Sequence, residues 1–280
     1  MLAAGTATPL AGGTDIYPAV AQADAWAETP PVRLGGGDLV DLGGLAELRG
    51  IAEHGSVYEL GAGVTWSELI AADLPPCFDG LKLAAREIGG RQIQNQGTLA
   101  GNLCNASPAA DGVPALLALD AQVRLRSRGG TRELPLADFI TGVRQTALQP
   151  GELMAAILVP KLPKTARAGF LKLGARRYLV ISIAMVSAVV VPTPDERVAD
   201  LRVAIGACSP VAQRLPALEA RAVGLPLTSL AALPTADDFS SLTPISDARA
   251  DADYRRQVAL VLTRRALAAL SDFELNEAAA

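Results

Sequence analysis

Residues 98–121 read T-L-A-G-N-L-C-N-A-S-P-A-A-D-G-V-P-A-L-L-A-L-D-A, a run of small and polar residues followed by a run of alanine and leucine. Glycine and alanine let a ligand approach the backbone closely, and short polar side chains can hydrogen-bond it there. The short polar side chains of this segment are Asn102, Asn105, Ser107 and Asp111. The stretch therefore predicts a ligand-cradling loop over 98–111 and a helix over 113–119.

A second loop of small residues lies upstream, where residues 10–16 read L-A-G-G-T-D-I. Consecutive backbone N–H groups in such a glycine turn can form a concavity that binds an anion. Taken alone, a glycine pair is also typical of a plain turn between a strand and a helix. Two such segments in one chain favour a single long ligand that contains a diphosphate.

The pair of segments also carries a family resemblance. With A-G-G-T-D-I at 11–16 and T-L-A-G-N-x-x-N-A-S-P-A-A-D at 98–111, the chain resembles the FAD-binding medium subunit of molybdenum hydroxylases, the xanthine dehydrogenase and carbon monoxide dehydrogenase family. The resemblance continues through 41–51, 152–160 and 170–177. It implies an α+β fold, with a two-subdomain FAD-binding region of the vanillyl-alcohol-oxidase (PCMH-like) type ahead of a C-terminal three-stranded antiparallel sheet with helices.

The residue pattern indicates where the chain divides. Residues 160–168 include two prolines and three basic residues and predict a linker. Apolar runs at 169–174, 184–191 and 198–207 predict three antiparallel strands, and the helical spacing over 253–270 predicts a helix that covers one face of their sheet. We expect an FAD-binding domain at 1–160, with subdomains at about 1–53 and 54–160, and a C-terminal flavoprotein domain at 169–280. A helix at 17–27 and a glycine break at 35–37 are expected within the first subdomain.

The two segments supply most of the candidate FAD contacts. Those in the first segment are Leu10, Ala11, Gly12, Gly13, Thr14, Asp15 and Ile16. Those in the second segment are Thr98, Gly101, Asn102, Cys104, Asn105, Ala110 and Asp111. By the resemblance, Asp111 lies beside the FAD, Leu153 and Met154 pack near the flavin, and Lys172 lies at its polar side.

Each of these polar or reactive residues has a plainer interpretation. Asp111 precedes an apolar helix and could act only as its N-cap. Lys172 could be an ordinary lysine on an edge strand, since lysines are common there. Cys104 is expected to pack as a small hydrophobe rather than to react. We expect no catalytic side chain and no metal ligand set in this chain, whose only histidine is His54.

Composition excludes several classes of function. The 280 residues are 50% hydrophobic and 19% charged, which is typical of a globular chain. A net charge of −4 without a basic run argues against nucleic acid as a partner. The longest apolar stretch, 178–191, contains two serines and is shorter than the roughly 20 residues that span a bilayer. Three scattered cysteines are too few to ligate a four-thiolate cluster. They favour a reducing compartment. With no secretory signal pattern at the start of the sequence, we expect a cytoplasmic location.

The resemblance implies an oxidoreductase that works in a heterooligomer. The chain would carry non-covalent FAD, receive electrons from a small subunit with [2Fe–2S] clusters, and pass them to NAD+, dioxygen or a quinone. A large subunit would hold the molybdenum–pterin cofactor. Two alternatives stay open: a stand-alone FAD oxidase or reductase of the same superfamily, and a flavin-free assembly subunit.

One departure from the family concerns the start of the chain. Family members usually carry a leading strand and helix before the first glycine pair, whereas only ten residues precede Ala11. We expect either a truncated or misassigned start or a reduced first subdomain, with weaker FAD binding and lower stability of the isolated chain as the consequences to test.

Overall fold

The computed structural model describes residues 7–18 and 38–271. The expected glycine break at 35–37, most of the expected helix at 17–27 and the last nine residues lie outside this part of the chain. Near the N-terminus, strands β1 (Ala7–Leu10) and β2 (Asp38–Asp41) pair in parallel. Within the described residues, no helix is long and apolar enough to cross a membrane.

A five-stranded antiparallel sheet forms the centre of the N-terminal region, in the order β3-β4-β9-β5-β6. Its central strand is almost entirely buried, because its sequence is an uninterrupted apolar run. The strands are β3 (Ile51–His54), β4 (Val57–Gly61), β5 (Gln122–Ser127), β6 (Gly130–Pro135) and β9 (Leu153–Pro160). A short hairpin of β7 (Ile140–Gly142) and β8 (Gln145–Thr146) lies between β6 and β9 in the chain.

Short helices pack around this sheet and share one apolar core with it. They are α1 (Trp66–Ala71), α2 (Asp79–Glu87), α3 (Arg91–Gln96), α4 (Leu99–Asn105), α5 (Gly112–Ala118) and α6 (Leu136–Phe139). Single 3-10 turns occur at Ala46–Leu48 and Pro76–Phe78. Helix α1 begins at the N-cap Thr65, whose side chain forms a capping box with Glu68. The largest fully buried side chains of this core include Trp66, Phe78 and Phe139.

The expectation of a loop over residues 98–111 is wrong for its first half, which forms helix α4. The Thr98 side chain caps this helix, and Leu99 and Leu103 are fully buried beneath it. Burial of these leucines outweighs the poor helix propensity of Gly101, Asn102 and Asn105. Ala106 ends the helix in the left-handed conformation with φ of 47°.

The C-terminal region contains a second antiparallel sheet, in the order β10-β11-β12-β13. Its three long strands, β10 (Arg167–Leu173), β11 (Ala184–Pro192) and β12 (Val198–Gly206), match the three that the sequence predicts. A fourth strand of two residues, β13 (Gln213–Arg214), was not predicted. Helix α7 (Pro216–Ala222) packs on β12, and 3-10 turns follow at Leu227–Ala232 and Ala236–Phe239.

Helices cover this sheet on both faces. The long helix α8 (Ala252–Ser271) packs on β10 and β11, as expected from its apolar spacing. Helices α2 and α5 of the N-terminal region also pack against the sheet, α2 on β10 and α5 on β11 and β12. The start of α5 and the end of β10 are thereby held at the junction of the two regions, where the candidate site lies.

Candidate functional site

The first glycine segment and the residues before Thr98 touch through their backbones. A Cβ atom added to Gly12 would lie 1.9 Å from the backbone oxygen of Gln96 and 2.9 Å from the Cα of Gly97. Only glycine allows so close an approach. Gly13 has φ of +68°, a conformation that also favours glycine, and its carbonyl accepts a hydrogen bond from Tyr17 N. The structure therefore brings the first segment against residues 96 and 97, which directly precede the second segment.

The first segment also approaches Gly97 through Thr14. The hydroxyl of Thr14 lies near Gly97, since a Cβ built on Gly97 would be 3.5 Å from Thr14 Oγ1. The carbonyl of Leu10, at the end of β1, accepts from Leu42 N at 2.8 Å. Asp15 is exposed, and its neighbours Ala11, Gly12, Thr14 and Ile16 are half-buried.

In the second segment, part of the expected donor set is already used within the chain. Gly101 N donates to Thr98 Oγ1 at 3.0 Å, and Leu99 N donates to Val64 O at 3.0 Å. These two N–H groups stabilise the start of α4. These two N–H groups are therefore not free to bind a ligand.

Asn102 carries a buried polar atom without a partner. Its Oδ1 is buried and makes no hydrogen bond within the described part of the chain. The atom faces the first turn of α5, because a Cβ added to Gly112 would lie 3.0 Å from it. A buried amide oxygen costs free energy unless it is hydrogen-bonded, so Asn102 fits a polar group of a bound ligand.

The other candidate residues of the second segment, Asn105, Cys104 and Ala110, differ in their contacts and exposure. The guanidinium of Arg144 donates to Asn105 Oδ1, and Arg144 N donates to Ala106 O at 2.9 Å. Cys104 is exposed and so lies outside the core, but desolvation raises the pKa of its thiol to about 12, in keeping with the expectation that it does not react. Ala110 is buried, and its carbonyl accepts from Val113 N at 3.1 Å.

Asp111 forms a buried cluster with two residues of the C-terminal region. Lys172 Nζ donates to Asp111 Oδ2 at 2.7 Å, and Ser182 Oγ donates to Asp111 Oδ1 at 2.6 Å. The Lys172 side chain is only 4% exposed. Burial raises the pKa of the Asp111 carboxyl, whereas Lys172 and Ser182 oppose that rise and nearby Glu87 adds to it. We name Asp111, Lys172 and Ser182 the buried cluster.

The buried cluster changes two sequence interpretations. Asp111 occupies the N-cap position of α5, but its carboxylate makes no capping hydrogen bond, because both oxygens are paired elsewhere. Lys172 lies on an edge strand, yet its ammonium points inward to Asp111 and to the carbonyl of Glu87, at 3.5 Å. The plain readings as a helix cap and as an exposed edge lysine are therefore wrong.

A cavity of about 410 Å³ opens beside Lys172. It is lined by Glu87, Lys172, Leu173, Gly174, Arg176, Arg177 and Val180. Three of these side chains are cationic and one is anionic, so the cavity suits a ligand with polar or negatively charged groups.

Leu153 and Met154 lie at the start of β9, the strand on which α4 packs. Met154 is buried in the N-terminal core and Leu153 is half-buried. Their place beside a flavin stays a prediction. Ser182 was missed as a site residue, although a serine inside the apolar run 178–191 is a signal that could have found it.

The residues at this junction fit FAD. Two adjacent segments with a glycine approach suit a diphosphate, the orphan Asn102 oxygen needs a polar partner, and the cavity beside Lys172 has room for part of a ring system. Among the residues that the structure covers, no group of three or more His, Cys, Asp or Glu is placed to hold a metal ion.

Comparisons with known proteins match both regions. Residues 1–162 match the family described as FAD binding domain in molybdopterin dehydrogenase, and residues 170–270 match CO dehydrogenase flavoprotein C-terminal domain. The chain is 30% identical to the carbon monoxide dehydrogenase medium chain of Hydrogenophaga pseudoflava, over 82% of this chain and 80% of that one. It is 31% identical to the putative xanthine dehydrogenase FAD-binding subunit XdhB of Escherichia coli K12, with the same two shares.

A solved structure shows the same similarity in three dimensions. Carbon monoxide dehydrogenase from Hydrogenophaga pseudoflava, in a form that lacks the Mo-pyranopterin moiety, superposes with a TM-score of 0.81 at 29% identity. The match covers 94% of this chain and 88% of that chain. The mixed helix and sheet fold that the sequence predicts is therefore confirmed.

Proposed function

The chain belongs to the FAD-binding medium-subunit family of the molybdenum hydroxylases, and from this premise we propose that it is the electron-transfer flavoprotein of a multi-subunit dehydrogenase. The family match makes it an oxidoreductase subunit with an FAD-binding domain. We further propose that it receives electrons from a [2Fe–2S] subunit, which is reduced in turn by a subunit with the molybdenum cofactor. NAD+, dioxygen or a quinone would then be the terminal acceptor.

The observation that supports this proposal is the contact of Gly12 with the backbone of Gln96, two residues before Thr98, so that the first segment lies at the start of the second. One diphosphate can bridge such segments. We propose that FAD is held non-covalently by residues 10–16 and by Thr98, Gly101, Asn102, Cys104, Asn105, Ala110 and Asp111. Leu153, Met154 and Lys172 would contact the flavin end.

The role of the chain's own residues is to bind and orient the cofactor. When bound, FAD supplies the electron-accepting and electron-donating chemistry. Asn102 would hydrogen-bond a polar group of it, and Asp111 with Lys172 would set the local charge. We infer a division of the chain between residues 160 and 169, and a cytoplasmic location is consistent with three unpaired cysteines.

Analysis of the bound flavin tests this function directly. The purified native protein should release FAD, not FMN, on acid denaturation, as identified by chromatography. Finding FMN, or a flavin that stays on the denatured chain, would contradict the non-covalent diphosphate site. A colourless but folded protein would favour the flavin-free assembly subunit.

Paired glycine variants test the location of the site. Gly12→Val should abolish FAD binding, because its side chain would collide with the Gln96 backbone. Gly44→Val is the matched control, since no atom lies within 4 Å of a Cβ added there. Asn102→Ala should lower FAD occupancy without a backbone clash. Full FAD content in both Gly12→Val and Asn102→Ala would place the cofactor elsewhere.

Reconstitution separates the subunit from a stand-alone enzyme. The isolated flavoprotein should be reduced by dithionite but not by hydroxylase substrates such as purines, aldehydes or carbon monoxide. Adding the iron–sulfur and molybdenum subunits should restore substrate-driven loss of the flavin absorbance. Many turnovers of such a substrate by the isolated chain would instead support the stand-alone oxidase.

A further inference from the structure

Ser182 has no role in the function proposed above, yet it is among the most buried polar side chains of the chain. It is 1% exposed, and its hydroxyl makes the shorter of the two hydrogen bonds to the Asp111 carboxylate described above, at 2.6 Å. Lys172 binds the other carboxylate oxygen, so each oxygen of Asp111 has its own donor. A fully paired carboxylate of this kind is held in one orientation.

We propose that Ser182 is a positioning residue that fixes the Asp111 carboxylate against Lys172 and thereby sets the reduction potential of the FAD. The proposal rests on the proposed function in one respect, namely that Asp111 and Lys172 lie beside the flavin. It goes beyond that function because it assigns control of the potential to a hydroxyl that need not touch the cofactor.

The backbone around Ser182 is held firmly enough for such a role. Ile183 N donates to Leu173 O at 2.7 Å, which ties this segment to the end of β10 next to Lys172. From the other side, Arg255 Nη1 donates to Ile183 O at 2.6 Å, and Arg255 is itself buried. The Arg255 guanidinium is fixed in turn by Asp247 at 2.8 Å. The Ser182 hydroxyl is therefore placed by main-chain contacts and not by Asp111 alone.

The same contacts connect the buried cluster to the second segment, residues 98–111. Arg255 Nη1 also donates to Ala207 O at 3.3 Å, while Ala207 N donates to Pro108 O at 3.0 Å. Pro108 lies three residues before Asp111. One buried arginine thus holds both the residue after Ser182 and the segment that carries Asp111.

The electrostatic consequence follows from the low polarity of the site. The groups that act on Asp111 are the Lys172 ammonium on β10, the Ser182 hydroxyl and the Glu87 carboxylate on α2. Burial raises the pKa of Asp111, and loss of the Ser182 donor raises it further. Protonation of Asp111 leaves the Lys172 charge uncompensated. An uncompensated positive charge beside a group that gains electrons favours its reduction.

The test compares Ser182→Ala with Ser187→Ala in the FAD-loaded protein. Ser187 is the matched control: it is equally buried, lies on β11 and donates to the backbone oxygen of Gly169, away from Asp111. Ser182→Thr keeps the hydroxyl. The measurements are FAD content and the midpoint potential of the flavin as a function of pH, by dye-equilibrated spectroscopic titration.

Ser182→Ala should raise the midpoint potential by about 30 mV, a tenfold change in a two-electron equilibrium constant. The difference from the wild type should appear as the pH falls, because loss of the Ser182 donor raises the pKa of Asp111 and the variant takes up a proton at a higher pH than the wild type does. Ser187→Ala and Ser182→Thr should keep the wild-type profile. Loss of FAD from Ser182→Ala alone would also support the role of the hydroxyl.

Three outcomes would overturn the proposal. They are an unchanged potential in a Ser182→Ala protein with full FAD, an equal change in Ser187→Ala, and an equal change or equal FAD loss in Ser182→Thr. A wild-type protein that binds no FAD would contradict the proposed function instead, which keeps the two failures distinguishable.

Discussion

Two clusters of charged side chains join the N-terminal region to the C-terminal sheet, and they differ in exposure. In the buried cluster, the Lys172 and Asp111 side chains are 4% and 9% exposed. In the second, which we name the junction cluster, Asp120 pairs with Arg202 and Arg214, and Arg214 holds Glu219 through two hydrogen bonds. The Asp120 side chain is 47% exposed.

The comparison shows where a charged pair can affect the electrostatic field around it as well as stability. Water and salt screen an exposed pair, so it adds little to stability and little to the field around it. A desolvated pair is hardly screened, so removing one partner leaves a charge that nothing compensates. The buried cluster lies where the cofactor is proposed to bind, and the junction cluster does not.

The largest expected effect comes from breaking the buried pair. Lys172→Met should lower the free energy of unfolding by about 3–5 kcal/mol, because it leaves the Asp111 carboxylate buried without its counter-charge. Urea unfolding at pH 7 measures it. The double variant Lys172→Met with Asp111→Asn should regain most of the loss, since no charge is then stranded. A double variant as unstable as Lys172→Met would show that side-chain volume, and not charge, decides.

A third pair, Arg221 and Asp238, tests whether a buried carboxylate with a half-exposed partner makes stability depend on pH. Hydrogen bonds from Arg221 lower the pKa of Asp238 to about 2, and its side chain is 3% exposed. A lowered pKa contributes stability above the unfolded value near 4, and this stability is lost as the pH falls towards about 2. At neutral pH Asp238→Asn should cost roughly 1–2 kcal/mol, since Arg221 is half-exposed.

Unfolding curves of the wild type and Asp238→Asn, recorded between pH 6 and pH 3, check this prediction. The difference in free energy of unfolding between the two proteins is expected to be on the order of one kcal/mol. The gap between the two proteins should be constant at the upper end and shrink at the lower end. A gap that does not change with pH would mean that the Asp238 hydrogen bonds matter and its charge does not.

The junction cluster should respond more weakly. Asp120→Asn should cost less than about 1 kcal/mol and the cost should shrink with added salt. Asparagine is the suitable replacement because Asp120 has φ of +51°, which asparagine tolerates. Urea unfolding at low and high salt measures both quantities. A large, salt-independent loss would remove the distinction between the two clusters.

The smallest effect is expected at the surface. Lys161 pairs with Glu53, whose side chain is 60% exposed, and also lies 5.6 Å from the centre of the Tyr58 ring. Lys161→Met should change the free energy of unfolding by no more than about 0.5 kcal/mol. Its unfolding curve should overlie that of the wild type, and a loss comparable to that of Lys172→Met would refute the ranking by exposure.

Much of the fold could be predicted from sequence because its signals are local. The apolar run of β9, the three long strands of the C-terminal sheet and the Thr65 cap all depend on nearby residues. Helix α4 was missed because its composition is that of a loop, and its formation depends on burying Leu99 and Leu103 in a core that the sequence does not show. Tertiary packing outweighs helix propensity there.

The site could be predicted only as a set of segments. The two glycine segments were recognisable, but their contact joins Gly12 to Gln96 across a long stretch of chain. The partners Lys172 and Asp111 are 61 residues apart, and Ser182 and Asp111 are 71 apart. No periodicity encodes such pairs, so the resemblance supplied Lys172 and the structure alone supplied Ser182.

The close approach of Gly12 to Gln96 has a consequence for the order of events during synthesis. The N-terminal segment leaves the ribosome first, but the surface it packs on does not exist until residues 96 and 97 have followed. Asp111 can form its hydrogen bonds only after Lys172 and Ser182 have been synthesised, since both follow it in the chain. A nascent chain that ends before residue 182 therefore lacks a finished site, and cofactor capture is expected late in translation.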